Sequence, residues 1–174
     1  MKRILLIRAV NVGGTGKLPM AQWRELAESL GARDVSTYIA SGNMVCTPPD
    51  DDEAFERALE RAVEEKFGFF REVISRSRDE VIAALEAHPF EIIEPKYSYI
   101  SFLTAAPTAA AIAKAGEVET GDDRWAVLGR ELHLRYANGA GRAQLKDAAL
   151  GRALAVAGTA RNLNTVRKLI ELAA

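Results

Sequence analysis

Residues 3–10 are almost entirely aliphatic, the pattern of a strand buried on both faces, and the glycine-bearing loop Asn11-Val12-Gly13-Gly14-Thr15-Gly16 follows at once. Pro19 suits the first position of a helix. Met20, Trp23, Leu26, Ala27 and Leu30 recur at helical spacing and Gly31 suits the left-handed residue that closes a helix, so one is predicted over residues 19–30. The β-rich runs at 35–40 and 44–47, separated by Ser41-Gly42, predict a hairpin. Asp50, Asp51, Asp52 and Glu53 put negative charge where a helix N-terminus favours it. Phe55, Leu59, Ala62, Val63 and Phe67 then mark one helix face before Gly68 stops it, and residues 70–75 read as a strand.

The order strand, helix, strand, strand, helix, strand is the split βαβ arrangement of ferredoxin-like domains, here closing near residue 76. Ser77 and Glu80 form a capping-box pattern ahead of Val81, Ile82 and Leu85, which predicts a connecting helix over about 78–88, ended by His88-Pro89. A second cycle then starts. Residues 97–103 read as a strand, 107–115 as an alanine-rich helix, and 125–128 with 131–136 as a hairpin turning at Gly129-Arg130. The remainder reads as helical, with one helix marked by Leu145, Ala149 and Leu154 and another by Leu163, Val166, Leu169 and Leu172. The expected fold is therefore α+β, with a ferredoxin-like domain at 1–76, a connecting helix and linker at 77–95, and a second such domain at 96–174. This second domain lacks an obvious fourth strand and carries an extra C-terminal helix.

Composition narrows the function. A net charge of -1 over 174 residues excludes a generally basic nucleic-acid or membrane-surface binder. No apolar run reaches membrane-spanning length, and the N-terminal apolar stretch breaks at Arg8, too short for a signal-peptide core, so a cytoplasmic location is expected. The single cysteine, Cys46, excludes a disulfide framework and every cysteine-based zinc site. His88 and His133 stand far apart in the chain and build no histidine-rich metal centre without several carboxylates; no cofactor or metal is expected.

Candidate chemistry collects in two places. The glycine loop with Lys17 invites anion binding, because amides freed by glycine point at an anion and a helix N-terminus adds partial positive charge. It is neither a Walker A motif, since Leu18 stands where the hydroxyl belongs, nor a dinucleotide fingerprint, since Pro19 replaces the third glycine. In a plait the first and second strands run the same way, so this loop and the hairpin at Ser41, Gly42 and Asn43 emerge at one end of the sheet. Arg8, Asn11, Gly13, Gly14, Lys17, Ser41, Gly42 and Asn43 are thus the candidate ligand-binding residues, against the plain alternative that glycine and asparagine only serve turns. The second place is the C-terminus, where from Gly141 onward six basic residues face two acids, against an acidic excess in residues 50–78.

Three segments also look familiar together: Asn11-Val12-Gly13-Gly14 with Lys17 and Met20; the run from Thr37 to Asn43; and Thr159-Ala160-Arg161-Asn162-Leu163-Asn164-Thr165-Val166. With Phe67-Gly68-Phe69 and Pro89-Phe90, in order along essentially the whole chain, they resemble the bacterial domain-of-unknown-function family numbered 1697. The resemblance implies a pair of ferredoxin-like plaits and brings no established activity. It also implies that Arg161 and Asn162 close the loop site from the second domain. Ala9 stands where a glycine is usual, Ala143-Gln144 where Ser-Lys is usual and Leu163 where a tryptophan is usual, so any ligand contact at those positions in relatives is altered here.

The leading expectation is a protein binding an anionic, phosphate-bearing small ligand at the loop and hairpin. One alternative is a nucleic-acid-associated protein using the basic C-terminal segment; another is a structural or oligomerisation module, favoured by strands apolar on both faces. Against nucleic acid, the inner strands of the first domain hold no aromatic residue to stack on a base, and Tyr97, Tyr99, Phe102, Trp125 and Tyr136 of the second are expected in core packing. No nucleophile, base and orienting group are brought together by the sequence. His133 alternates to the face opposite Leu132 and Leu134, where Arg135 is expected to disfavour its protonated form, and Cys46 reads as an inert buried thiol.

Overall fold

A computed structural model describes residues 1–49 and 51–174; the acidic residue Asp50 lies outside the described residues. The chain forms two compact units, one made of Met1–Ile82 with Lys168–Ala174 and the other of Ala83–Arg167. Each is built on a four-stranded antiparallel sheet.

In the first unit β1 (Arg3–Ile7) runs between β3 (Asn43–Thr47) and β4 (Val73–Ser77), antiparallel to both, and β2 (Arg33–Tyr38) lies outside β3, giving the order β2-β3-β1-β4. Two helices, α1 (Met20–Ser29) and α2 (Asp52–Phe67), supply the other half of the core. Leu5, Ile7, Met44, Cys46 and Val73 on one sheet face pack in one buried cluster with Trp23 and Ala27 of α1 and Phe55, Leu59 and Val63 of α2. On the other face Ile4, Leu6, Val45 and Ile74 are buried as well, which is why β1 reads as a continuous apolar run rather than an alternating one. Asp51 caps α2 by accepting from Ala54 N at 2.7 Å, and Gly68 ends it at φ 78°.

The strand after α2 starts later than the apolar pattern predicts. Phe69 and Phe70 are not part of it: Phe69 packs against the core with its ring 6.1 Å from that of Phe67, and Phe70 is half exposed. β4 is an edge strand whose outward amides are occupied from α2. Glu60 accepts from Val73 N at 3.0 Å, Glu56 accepts from Ser75 N at 3.0 Å, and the Arg57 guanidinium donates to Val73 O at 3.1 Å. Helix α3 (Arg78–Glu86) follows, opened by the predicted capping box in reciprocal form, with Ser77 N on the Glu80 carboxylate at 2.7 Å and Glu80 N on Ser77 Oγ at 3.1 Å.

The second unit repeats the pattern. A 3₁₀ turn at Pro95–Tyr97 leads into β5 (Ser98–Leu103), so Tyr97 precedes the strand instead of opening it. Then come α4 (Ala109–Ala115), the hairpin of β6 (Arg124–Leu128) and β7 (Glu131–Arg135), and α5 (Asp147–Leu154). The expectation that this unit lacks a fourth strand is corrected. Residues Gly158–Asn162 form β8, paired antiparallel with β5 from Tyr99↔Asn162 to Leu103↔Gly158, and the order is β6-β7-β5-β8. Only Thr159 in that segment is β-branched, and the ladder with β5 rather than local propensity holds it extended. Leu103, Leu132 and Leu134 of the sheet, with Tyr136, pack against Ala115 of α4 and Leu150 and Leu154 of α5. Helix α6 (Leu163–Leu172) ends the chain, and its last turn joins the first unit, where Arg78 Nε donates to Ile170 O at 3.0 Å. No helix among the described residues is long and apolar enough to cross a membrane.

Candidate functional site

The loop after β1 is a miniature hairpin. Asn11 N donates to Gly16 O at 2.9 Å, and Val12 and Thr15 exchange backbone bonds at 3.3 and 3.0 Å around the two-residue tip Gly13-Gly14. Both tip glycines have positive φ, 58° and 76°, the pairing that a tight hairpin turn requires and side-chain-bearing residues resist. The amides of Gly13, Gly14, Gly16 and Lys17 make no hydrogen bond among the described residues. They sit beside an open cleft of about 440 Å³ lined by Gly14, Thr15, Lys17, Pro19, Met20 and Ala40. Lys17 is exposed at its rim, and α1 begins there with Pro19 as N-cap and no side-chain cap.

The expected neighbourhood of loop and hairpin is present, and Asn11 makes it. Its Oδ1 accepts from Leu18 N at 2.9 Å, while its Nδ2 donates to Leu18 O at 2.9 Å and to Ala40 O at 2.8 Å. Both N–H donors of that amide are used and its oxygen keeps one acceptor site, so Asn11 fastens the loop and has no donor left for an anion. Asn43 does the same for the β2–β3 turn: it is completely buried and its Nδ2 donates to Tyr38 O and to Ser41 Oγ, both at 2.9 Å. Gly42, at φ 90°, lies directly under β1, with its carbonyl accepting from Ile7 N at 3.0 Å; a Cβ there would stand 2.5 Å from Ile7 Cγ2. Arg8 reaches the Glu72 carboxylate at 3.6 Å. Of the predicted residues, Asn11, Gly14 and Lys17 line the cleft, Gly13 offers an unbonded amide at the loop tip, and the bonds of Asn11 and Asn43 hold the loop and the turn in place.

Arg161 and Asn162 belong to the other unit, on β8. Arg161 is buried, donates to Thr159 Oγ1 and to Ala160 O, and is pushed down to about 10 by desolvation. Asn162 Oδ1 accepts from Thr165 N at 2.9 Å, capping α6.

Sequence reasoning missed two constellations. His88 and His133, 45 residues apart, meet with their Nδ1 atoms 2.9 Å apart. Burial lowers both, His133 to about 4, with the neighbouring His88 as the second cause; Arg135 is not the source of the shift. Among the described residues no cluster of three or more potential ligands for a metal ion surrounds them. Asp123, almost wholly buried, accepts from Ala137 N at 2.9 Å, Gln144 N at 2.7 Å and Leu145 N at 2.9 Å, tying together segments that carry no shared motif. Cys46 is buried and its thiol is raised to about 12 by desolvation and then by Asp52, which removes it as a nucleophile.

The family whose profile matches residues 1–133 is described as "Protein of unknown function (DUF1697)". The chain belongs to the DUF1697 family. No curated protein matches it. Among solved structures, the DUF1697 chain is similar to the conserved bacterial protein SP0830 from Streptococcus pneumoniae, at 21% sequence identity and a TM-score of 0.74, over 99% of this chain and 98% of that one. This likeness concerns the fold.

Proposed function

We propose that this DUF1697 protein binds an anionic, phosphate-bearing small ligand at the 11–17 loop. The observation that carries the reading is the set of unbonded amides at Gly13, Gly14, Gly16 and Lys17 beside an open cleft, with the Lys17 ammonium at the rim. Free amides and the first turn of α1 together form the partial positive charge that phosphate oxygens seek. Asn11 and Asn43 serve the site as positioning residues, holding loop and hairpin in register. The strand order, with the third strand beside the first and the fourth on its other side, supports reading each unit as a ferredoxin-like plait and the chain as two such domains. The wider reading is of a bacterial, cytoplasmic protein.

The basic C-terminal segment supports a nucleic-acid reading less well, since Arg161 is buried and Lys168 pairs with Glu171 at 3.3 Å. Thermal unfolding against nucleotides, sugar phosphates, inorganic phosphate, carboxylates and a short oligonucleotide tests the proposal. A ligand at 100 times its Kd stabilises by about 2.7 kcal/mol. A shift confined to phosphate-bearing small molecules and lost in Lys17→Ala is expected; no shift with any of them overturns the reading.

A further inference from the structure

In the second unit Arg124 of β6 and Arg135 of β7 stand directly opposite each other across the ladder. Like charges in that relation repel. Neither guanidinium has a carboxylate partner among the described residues; their hydrogen bonds go to backbone carbonyls, Arg124 Nη1 to Gly121 O at 3.2 Å and Asp123 O at 2.9 Å, Arg135 Nη2 to Asp122 O at 3.2 Å. Arg135 Nε is buried and has no hydrogen-bond partner. An N–H of a cation left without an acceptor in the interior is costly, and it adds to the repulsion between the two guanidinium groups.

Beside it lies a cavity of about 120 Å³. Arg135, Ser98, Ile93, Tyr97, Tyr136 and Glu94 line it. Ser98 is the cross-strand neighbour of Arg135 and is deeply buried. The Tyr136 hydroxyl already donates to Asp147 at 2.7 Å, so Tyr136 offers its ring. Tyr97 is held by the backbone of Gly139, where a Cβ would approach its Cε1 to 3.1 Å, and carries the Lys96 ammonium 5.6 Å from its ring centroid. A small, mostly apolar cavity with a cationic side chain in its wall suits the two ends of a small organic acid. The exposed Glu94 is the acid in this wall; it disfavours a dianion such as phosphate more than a monoanion.

We propose that this cavity binds a small organic monocarboxylate, its carboxylate accepting from Arg135 and its apolar body lying against Ile93, Tyr97 and the ring of Tyr136. The positive charge of Arg124 on the adjacent strand reinforces the preference for an anion. This site is separate from the glycine loop and does not rest on it.

Titration of the ¹⁵N-labelled full chain with benzoate, with benzamide and inorganic phosphate as comparators, tests it. Benzoate is expected to move the amides of Tyr97, Ser98 and Ala137 saturably, and benzamide to leave them in place. Arg135→Gln is expected to weaken benzoate by about tenfold or more, as loss of a charge-assisted pair does. Glu94→Gln is expected to tighten it, and Ala137→Trp, an exposed change at the cavity wall, to block it. A fold check by spectral dispersion accompanies each variant. No saturable response to benzoate, equal binding of benzamide, or a benzoate affinity unchanged in both folded Glu94→Gln and Ala137→Trp overturns the assignment.

Discussion

His88 and His133 face each other Nδ1 to Nδ1 at 2.9 Å while the Nε2 of each is buried without a partner. One ring must donate through Nδ1 and the other accept, so the neutral pair is a defined tautomeric arrangement, and adding a proton to it places charge in a buried site beside a second imidazole. Both histidines are depressed below 6.5, His133 to about 4. The unfolded chain therefore binds more protons than the folded one from about pH 6.5 down to 4, and stability falls as pH falls through that window. For His133 alone the loss approaches about 3 kcal/mol at its acid limit. Urea unfolding at pH 7 and pH 5 measures it; His133→Gln is expected to have a smaller difference between the two, and an unchanged difference would refute the account.

Gly42 is expected to be the glycine least tolerant of alanine in the loop region. Its Cβ would lie 2.5 Å from Ile7 Cγ2 and 3.0 Å from Val10 Cγ2, at φ 90°, whereas Gly13 and Gly14 open onto empty space. Gly42→Ala should cost about 3 kcal/mol or more, combining overpacking with backbone strain, and Gly13→Ala about 1 kcal/mol from strain alone. Denaturant midpoints of the two variants rank them.

Ala9 adopts φ 52°, a conformation that favours glycine. Ala9→Gly should relieve strain of about 1 kcal/mol, partly offset by greater freedom of the unfolded chain, for a net gain of a few tenths of a kcal/mol. A melting temperature lower than that of the parent would contradict it.

Asp123 answers three backbone amides with two oxygens. Asp123→Ala leaves those donors without their acceptor and should cost about 3 kcal/mol, with Asp123→Asn intermediate. Amide exchange at Ala137, Gln144 and Leu145 should accelerate in both; protection unchanged at all three would show that other acceptors suffice.

Most of the first unit is legible because its signals are local and repeat. The apolar run of β1, the spacing of Trp23 and Ala27, and the Gly68 stop each act within a few residues, and the chain direction of β1 and β2 then brings Asn11 and Ala40 together. Two things escape. β8 has the composition of a loop and becomes a strand only because β5 offers its open edge. The bonds of Asn11 and Asn43 are illegible for a related reason: their residue types fit a turn and a ligand equally well, and the carbonyls of Leu18, Ala40 and Tyr38 that accept from them are brought up by the fold. His88 with His133, and Asp123 with its three amides, join positions whose proximity no periodicity encodes.

The carboxylates of Glu56 and Glu60 and the guanidinium of Arg57, spread along the free side of β4, have a consequence at high concentration. A foreign strand drifting up to that side meets amides and a carbonyl that are already spoken for, and a row of charge in place of a template. Growth of the sheet from β4 into an aggregate would first have to pull α2 away from it, so protection against runaway self-pairing on that flank is as durable as the helix's own packing.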